Sequence, residues 1–208
     1  MEEMENNRSV SQVAILLAFT LAATGRRVAL NDEDLGEFDQ STGCFDGVII
    51  RDLDKDIDLL IAKDDIMAPF GDGPADMDEN DRMRKHATCQ TMTLLDGEAR
   101  SRFLLGNHIG RFHDGCALCV CRDYGEGFWL PSGGEMAVIH ENISEVNNIM
   151  GLFFGDIVPE DEHWTSSLFN DERAWHADMG SGTFGFWRSK TTRMHVRPVA
   201  SARDYEDF

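Results

Sequence analysis

The sequence predicts an α+β domain, because strand signals and helix signals occur in different stretches of the chain. In the last third, apolar and aromatic residues form strand-length runs between glycines and polar residues, never at helical spacing over a long window. Before them, Ser132 and Glu135 form an S-x-x-E pattern typical of a helix start, and apolar residues follow at spacings of three and four. Two apolar runs on either side of residues 52–56 predict a β-hairpin.

The length, the net charge and the cysteine content limit the class of protein. The 208 residues suit one domain, residues 31–208, preceded by a tail and an apolar helix within residues 1–30. The formal net charge of −19 argues against a nucleic-acid-binding face, which needs clustered Lys and Arg, and disfavours an anionic membrane surface. The five cysteines, three of them between Cys116 and Cys121, favour reduced thiols in a protein made in the cytosol over a disulfide framework.

The most apolar run of the chain is residues 10–23. Acidic Glu2, Glu3 and Glu5 precede it where a signal peptide carries positive charge. The run is also shorter than the roughly 20 residues that span a bilayer. We therefore expect no signal peptide and no membrane insertion, but a buried helix that ends near Gly25 and serves attachment or oligomerisation.

Two acidic stretches raise the question of calcium. Gly47–Ile50 and Ile57–Ala62 form the predicted hairpin, and an EF-hand loop starting at Asp52 would need Gly and Glu where Ile57 and Lys63 stand. A solvated turn is the better interpretation. Residues 64–85 form an irregular acidic loop that fails the same test, although a calcium site of another kind stays open there.

Two helices are predicted in the middle of the chain. The segment from Asp96 to Gly106 has an acidic start and a glycine stop. Ser132 and Glu135 form a capping box, in which the hydroxyl and the carboxylate each accept a bond from the other residue's amide. The helix behind this box carries a predicted core stripe of Met136, Ile139, Ile143, Val146 and Met150.

Three motifs could indicate chemistry. His113 with Cys116-x-x-Cys119 offers three zinc ligands, but no second C-x-x-C follows, and the interleaved apolar residues favour buried packing. Residues 180–185 match G-x-G-x-x-G, yet strand-like residues follow where the dinucleotide fingerprint needs a helix, so a glycine turn is expected. The histidines are scattered. The sequence thus predicts no catalytic residue, no metal site and no cofactor.

A series of short motifs over residues 96–199 resembles the Lcl-type C-terminal domain family of bacteria and phages. The motifs, in order, are Gly127–Glu135 with its Leu-Pro-Ser, Trp164–Ser167, Ala174-Trp175, Gly180, Lys190 and Val196–Val199. The resemblance implies a C-type-lectin-like fold with a twisted antiparallel sheet, two or three short helices and long loops. Phage tropism determinants and other variable proteins of diversity-generating retroelements use the same scaffold.

The resemblance also implies a ligand-facing surface between the Trp164 and Val196 motifs. Mixed aromatic, Arg and His side chains there suit recognition of a protein or glycan on a target surface. The predicted ligand-binding residues are Phe169, Asn170, Asp171, Glu172, Arg173, His176, Asp178, Phe184, Phe186, Arg188, Thr192, Arg193 and His195. The predicted structural residues are Ser132, Glu135, Trp164, Trp175, Arg197 and Pro198. The E-P-N, Q-P-D and W-N-D motifs of calcium-dependent sugar binding are absent from the sequence.

These observations predict a non-catalytic, receptor-binding or display protein that forms a homo-oligomer or larger assembly. Because a recognition fold without an export signal still needs a route out of the cell, we expect a phage or prophage virion component, such as a tail or head-decoration protein. A first alternative is an intracellular or surface-attached bacterial binding module. A second is an enzyme of the formylglycine-generating type, whose fold is related and whose chemistry would use the Cys116–Cys121 cluster.

Overall fold

The structure, a computed structural model, describes residues 38–39, 44–45, 47–52, 57–71, 95–106, 114–152, 155–169 and 172–202. The predicted N-terminal helix, most of the acidic loop 64–85, His113, Asn170 and Asp171 lie outside these residues. Within them, no helix combines the length and the apolar character needed to cross a membrane.

The α+β class is confirmed by the elements of the described part. The strands are β1 (Phe38–Asp39), β2 (Cys44–Phe45), β3 (Gly47–Asp52), β4 (Ile57–Ala62), β5 (Ile66–Pro69), β6 (Glu162–Leu168), β7 (Ala174–Asp178), β8 (Thr183–Gly185), β9 (Arg193–Val196) and β10 (Val199–Ser201). The helices are α1 (Gly97–Gly106), α2 (Ala117–Tyr124), α3 (Gly133–Glu141) and α4 (Ile143–Leu152). The described residues thus hold four helices rather than the two or three expected.

The strands form three sheets. β1 pairs with β2, a three-stranded sheet has the order β10-β4-β3, and a five-stranded sheet has the order β5-β9-β6-β7-β8. The predicted hairpin is confirmed by the antiparallel β3–β4 register, which runs from Gly47 opposite Ala62 to Asp52 opposite Ile57. The expected antiparallel sheet is in fact mixed, because β6 and β9 pair in parallel at His163 and His195.

Two apolar clusters form the core. The first packs the three-stranded sheet against α3 and α4 and includes Leu60, Ile139, Met150 and Val199. The second lies between α1, α2 and the five-stranded sheet and includes Phe70, Leu118, Leu130, Trp164 and Val196. Each cluster buries large side chains almost completely, which is the main source of folding free energy.

The capping box at the start of α3 is confirmed. Ser132 Oγ accepts from the Glu135 amide at 3.2 Å, and Glu135 Oε2 accepts from the Ser132 amide at 2.8 Å. Glu135 also accepts from the Gly97 amide at 3.1 Å and from Trp129 Nε1 at 3.2 Å, so this one carboxylate joins α3 to the start of α1. Ser132 and Glu135 therefore have the structural role that their spacing predicts.

The helix expected behind this box is divided in two. Asn142 ends α3 with φ −112° and ψ 12°, and its side-chain amide donates to the Val138 carbonyl at 2.9 Å. Such a side-chain bond competes with the helical backbone bonds. The predicted stripe survives the break, because Met136, Ile139, Val146 and Met150 are buried and Ile143 packs against them.

Candidate functional site

Four aromatic residues, called here the aromatic surface, lie at the β8 edge of the five-stranded sheet: Phe169, Trp175 and Phe186 pack together, and Trp187, next to Phe186 in the chain, packs against His176. Phe169 follows β6, Trp175 belongs to β7, and Phe186 and Trp187 follow β8, the last strand in the sheet order. The antiparallel succession β6-β7-β8 therefore brings together Phe169, Trp175 and Phe186, which are separated along the chain.

Three rings of the aromatic surface pack against one another. Phe169 and Phe186 are stacked with ring centroids 4.1 Å apart, and Trp175 meets them edge-on at 5.7 Å and 4.9 Å. Phe186 remains 38% exposed and Trp187 53% exposed. The indole Nε1 of Trp175 is buried and has no hydrogen-bond partner. The surface thus combines exposed apolar rings with one unsatisfied donor.

Trp187 is positioned by β7 and β8. Its ring packs edge-on against His176 with centroids 4.6 Å apart. A Cβ atom at Gly185 would lie 2.3 Å from the Trp187 ring and 2.6 Å from His176 Nε2, so only glycine leaves room for this arrangement. Burial lowers the pKa of His176 despite the neighbouring Glu162 carboxylate, and the neutral imidazole is favoured beneath Trp187.

An ion pair flanks the aromatic surface. Arg188 Nε donates to Glu162 Oε2 at 2.7 Å, and Glu162 Oε1 lies 3.5 Å from His176 Nε2. Hydrogen bonding to Glu162 raises the pKa of Arg188, which stays charged. These two side chains place a positive and a negative charge beside His176.

Three of the predicted ligand-binding residues, discussed next, lie outside the aromatic surface. His176 is fully buried, so its assignment to the surface was wrong, because alternation along β7 turns it inward. Asp178 accepts from the Gly180 and Ser181 amides in the β7–β8 turn, which confirms the glycine turn expected there. Phe184 packs against the first core cluster.

The remaining predicted ligand-binding residues do not belong to the aromatic surface. Glu172 and Arg173 are exposed, Thr192 is half-buried, and Arg193 donates to the Met67 carbonyl on β5. His195, on β9, belongs to a separate cluster described below.

The predicted structural residues are placed as expected, with one exception. Trp164, Arg197 and Pro198 are buried, and Trp164 Nε1 donates to the Ala68 carbonyl at 3.1 Å. Trp175 is half-buried and packs against Phe169 and Phe186 rather than within the two core clusters. Trp187, which the sequence did not single out, is the most exposed ring of the aromatic surface.

The cysteine segment forms α2 and packs in the core. Cys116, Cys119 and Cys121 are buried free thiols, and Cys116 Sγ caps the helix by accepting from the Cys119 amide at 3.3 Å. Burial and the neighbouring Cys119 raise the pKa of Cys116 to about 12, and burial raises the pKa of Cys121 well above its usual value. The thiolate, which is the nucleophilic and metal-binding form, is therefore disfavoured.

A separate polar cluster consists of Asp65, just before β5, His163 on β6 and His195 on β9. His195 Nδ1 is 2.5 Å from Asp65 Oδ2, and His163 Nε2 is 3.5 Å from Asp65 Oδ1. The two imidazole rings stack with centroids 5.0 Å apart. One ligand atom from each of Asp65, His163 and His195 lies within 4.8 Å of the others, which is the spacing of a metal site. No sequence motif joins these positions, because only the parallel pairing of β6 with β9 brings the histidines together.

Comparison with known proteins provides evidence on the fold alone. No protein-family model matches the chain, and no curated protein matches it. A solved structure of a fimbrial protein from Bacteroides ovatus superimposes with a TM-score of 0.54 at 12% identity, over 69% of this chain. The chain spans 35% of the length of that fimbrial protein.

Proposed function

We propose that this chain is a non-catalytic recognition protein that binds its ligand at the aromatic surface. The observation that carries the proposal is the exposure of two consecutive large rings just after β8: Phe186, which packs with Phe169 and Trp175, and Trp187, which packs against His176. Large apolar side chains exposed side by side are costly in water and are typical of binding sites. Aromatic rings supply contact area at little entropic cost, because they have few rotatable bonds.

The extent of the aromatic surface favours a glycan as the ligand. A stable protein partner would bury about 800 Å² on each side, whereas two exposed rings suit the apolar face of a sugar ring. The Arg188–Glu162 ion pair beside Trp187 offers a donor and acceptors for sugar hydroxyls. The Trp175 Nε1 group offers another donor once a ligand or a side-chain shift reaches it.

A C-type-lectin-like fold for residues 96–199 belongs to the same proposal. It is supported by the order of the motifs and by the elements that coincide with them: the capping box of α3, the helix pair α3–α4, β6 with Trp164, the β7–β8 turn and the terminal β9–β10 segment. In this proposal the resemblance to phage tropism determinants makes the chain a virion display component. A surface-attached bacterial module is the alternative.

Binding to a printed array of bacterial and host glycans tests the aromatic surface. We expect the wild-type chain to bind, and Trp187→Ala and Phe186→Ala each to lose binding at least about tenfold, since each removes a ring contact. Phe103→Ala is the matched control, because Phe103 is a phenylalanine of similar exposure, 42%, on α1. Equal binding by all variants would contradict the proposal. Dependence on Trp187 for a protein but not for any glycan would keep the surface and change the ligand class.

The display role is tested separately by multi-angle light scattering of the full chain. A discrete trimer or larger assembly is expected of a display component. A monomer at all concentrations would favour a solitary binding module, whatever the glycan array shows.

A further inference from the structure

We propose that Asp65, His163 and His195 form a binding site for a divalent transition-metal ion, zinc being the best fit. The site is distinct from the aromatic surface and does not depend on the function proposed for it. The three side chains come from the β4–β5 connection, from β6 and from β9, so a bound ion would tie three segments of the chain together.

The hydrogen bonding of His163 is the first argument. His163 Nδ1 lies 3.0 Å from the Asp161 carbonyl oxygen, which can only accept, so Nδ1 carries a proton. In the neutral ring, Nε2 then presents a lone pair. That lone pair faces Asp65 Oδ1 at 3.5 Å, and both atoms are buried without a hydrogen-bond partner. Two acceptors facing each other repel, whereas a cation between them would satisfy both.

The outer nitrogens of both histidines supply the second argument. His163 Nδ1 faces the Asp161 carbonyl, and His195 Nε2 lies 3.9 Å from the Asp161 carboxylate. Metal-bound histidines typically direct their other ring nitrogen to a carbonyl or carboxylate, which fixes the tautomer and strengthens the ligand. The Asp161 carbonyl does this for His163, and the Asp161 carboxylate lies on the Nε2 side of His195, beyond hydrogen-bond distance in the structure. Binding would move the His195 proton from Nδ1, now directed at Asp65, to Nε2.

The third argument is that Asp65 is held in place and is accessible. Its amide donates to Asp156 Oδ2 at 3.1 Å, and the neighbouring Asp64 accepts from the Tyr124 hydroxyl at 2.8 Å. The side chains of Asp65 and His195 are 10% and 21% exposed, so an ion can reach the site from solvent. Burial alone would raise the pKa of Asp65, but the neighbouring histidine side chains and the charge of Arg197 outweigh this and lower it, so the carboxylate is ionised as ligation requires.

Arg197 opposes a cation but does not occupy the site. Its Nη1 and Nη2 atoms donate to the carbonyls of Ala62 and Ile157 at 3.0 Å and 2.7 Å. It remains 3.6 Å from Asp65 Oδ1, which therefore keeps an unsatisfied oxygen.

The ligand types select the class of metal. Two imidazoles and one carboxylate suit zinc and its neighbours among the divalent transition metals, whereas calcium and magnesium prefer oxygen ligands. Zinc imposes no geometry of its own and accepts three protein ligands with a fourth position open. In tetrahedral zinc sites with bonds of about 2.0 Å the ligand atoms lie about 3.3 Å apart. The 2.5 Å contact between His195 and Asp65 would therefore widen by a side-chain rotation on the half-exposed side.

The test is a titration of the full, chelator-treated chain with Co²⁺, followed by visible absorption and by displacement with Zn²⁺. We expect one Co²⁺ per chain, a spectrum without thiolate charge-transfer bands, and a rise in the thermal midpoint with added Zn²⁺. His195→Asn should weaken binding at least about 100-fold, and Asp161→Asn, which replaces the carboxylate facing His195 Nε2 by an uncharged amide, about 10-fold or more. His140→Asn, a half-buried histidine of α3 outside the cluster, should bind like the wild type.

Two results would overturn the site. Absence of Co²⁺ and Zn²⁺ binding at micromolar metal would show that Asp65, His163 and His195 do not form a metal site. Binding that is unchanged in both His195→Asn and Asp161→Asn, or a thiolate spectrum, would place the metal elsewhere. If His195→Asn does not fold, Asp161→Asn still decides, because its carboxylate is 70% exposed.

Discussion

Replacing Arg197 by methionine should destabilise the protein strongly. The guanidinium is fully buried, and its two Nη atoms donate to the carbonyls of Ala62 and Ile157 at 3.0 Å and 2.7 Å. It thereby joins the end of β4 to the segment before β6, and it lies 3.6 Å from the Asp65 carboxylate in the β4–β5 connection. Methionine is likewise unbranched at Cβ and flexible, but it is shorter and offers no donor.

The size of the effect follows from these contacts. Hydrogen bonds from a charged donor contribute about 1.5–3 kcal/mol each, so two of them give about 3–6 kcal/mol. Methionine also removes the cost of burying the charge, which is the cost that lowers the pKa of Arg197, and this offsets part of the loss. Removing one partner of a buried ion pair typically costs about 3–5 kcal/mol, and we expect a loss in that range.

Urea unfolding followed by circular dichroism measures this loss, provided that the m-value stays the same. The control is Arg102→Met, because Arg102 pairs with Glu98 at 2.6 Å but its side chain is 76% exposed. Exposed pairs contribute about 0–1 kcal/mol. A loss for Arg197→Met no larger than that of the control would refute the reasoning. If Arg197→Met does not fold, Arg197→Lys is measured in its place. Lysine keeps the charge and one donor, so this variant should fold and should lose more unfolding free energy than the control Arg102→Met.

Three further predictions concern the aromatic surface and its support. Gly185→Ala should displace the Trp187 ring, which lies 2.3 Å from the new Cβ, and should be seen as changed tryptophan fluorescence and lost glycan binding; an unchanged spectrum would contradict it. Trp175→Phe removes a buried donor without a partner, so stability should hold or rise while glycan binding weakens. Because burial lowers the pKa of His176 below 6.5, the unfolded chain binds more protons just below that pH. The contribution of His176 to stability is therefore complete above about pH 6.5 and is lost as the pH falls towards the folded pKa. His176→Gln should make the urea unfolding midpoint depend less on pH between pH 7.5 and 5, and an unchanged pH dependence would exclude this cause.

The features that could be predicted from sequence are those whose signals are local. The hairpin of β3 and β4, helix α1 and the capping box at Ser132 each depend on residues within a few positions of one another. The break at Asn142 escaped prediction, because apolar spacing continues through it and a single side-chain bond to Val138 decides the outcome.

The candidate sites depend on contacts between distant segments. His163 and His195 look unrelated in sequence until β6 and β9 pair in parallel, and Asp65 joins His195 across 130 positions. Similarly, the exposure of Trp187 and the burial of His176 depend on which end of the sheet β8 occupies. An alternating pattern of apolar and polar residues cannot provide that information.

The short link between the last two strands has a consequence for biosynthesis. Arg197 and Pro198 alone separate β9, an inner strand of the five-stranded sheet, from β10, an edge strand of the three-stranded sheet. Neither sheet is complete until residues 193–201 have left the ribosome, because β10 pairs with β4 and β9 joins β5 to β6. Ribosome-bound chains ending before Arg193 should therefore stay sensitive to protease and in need of chaperones.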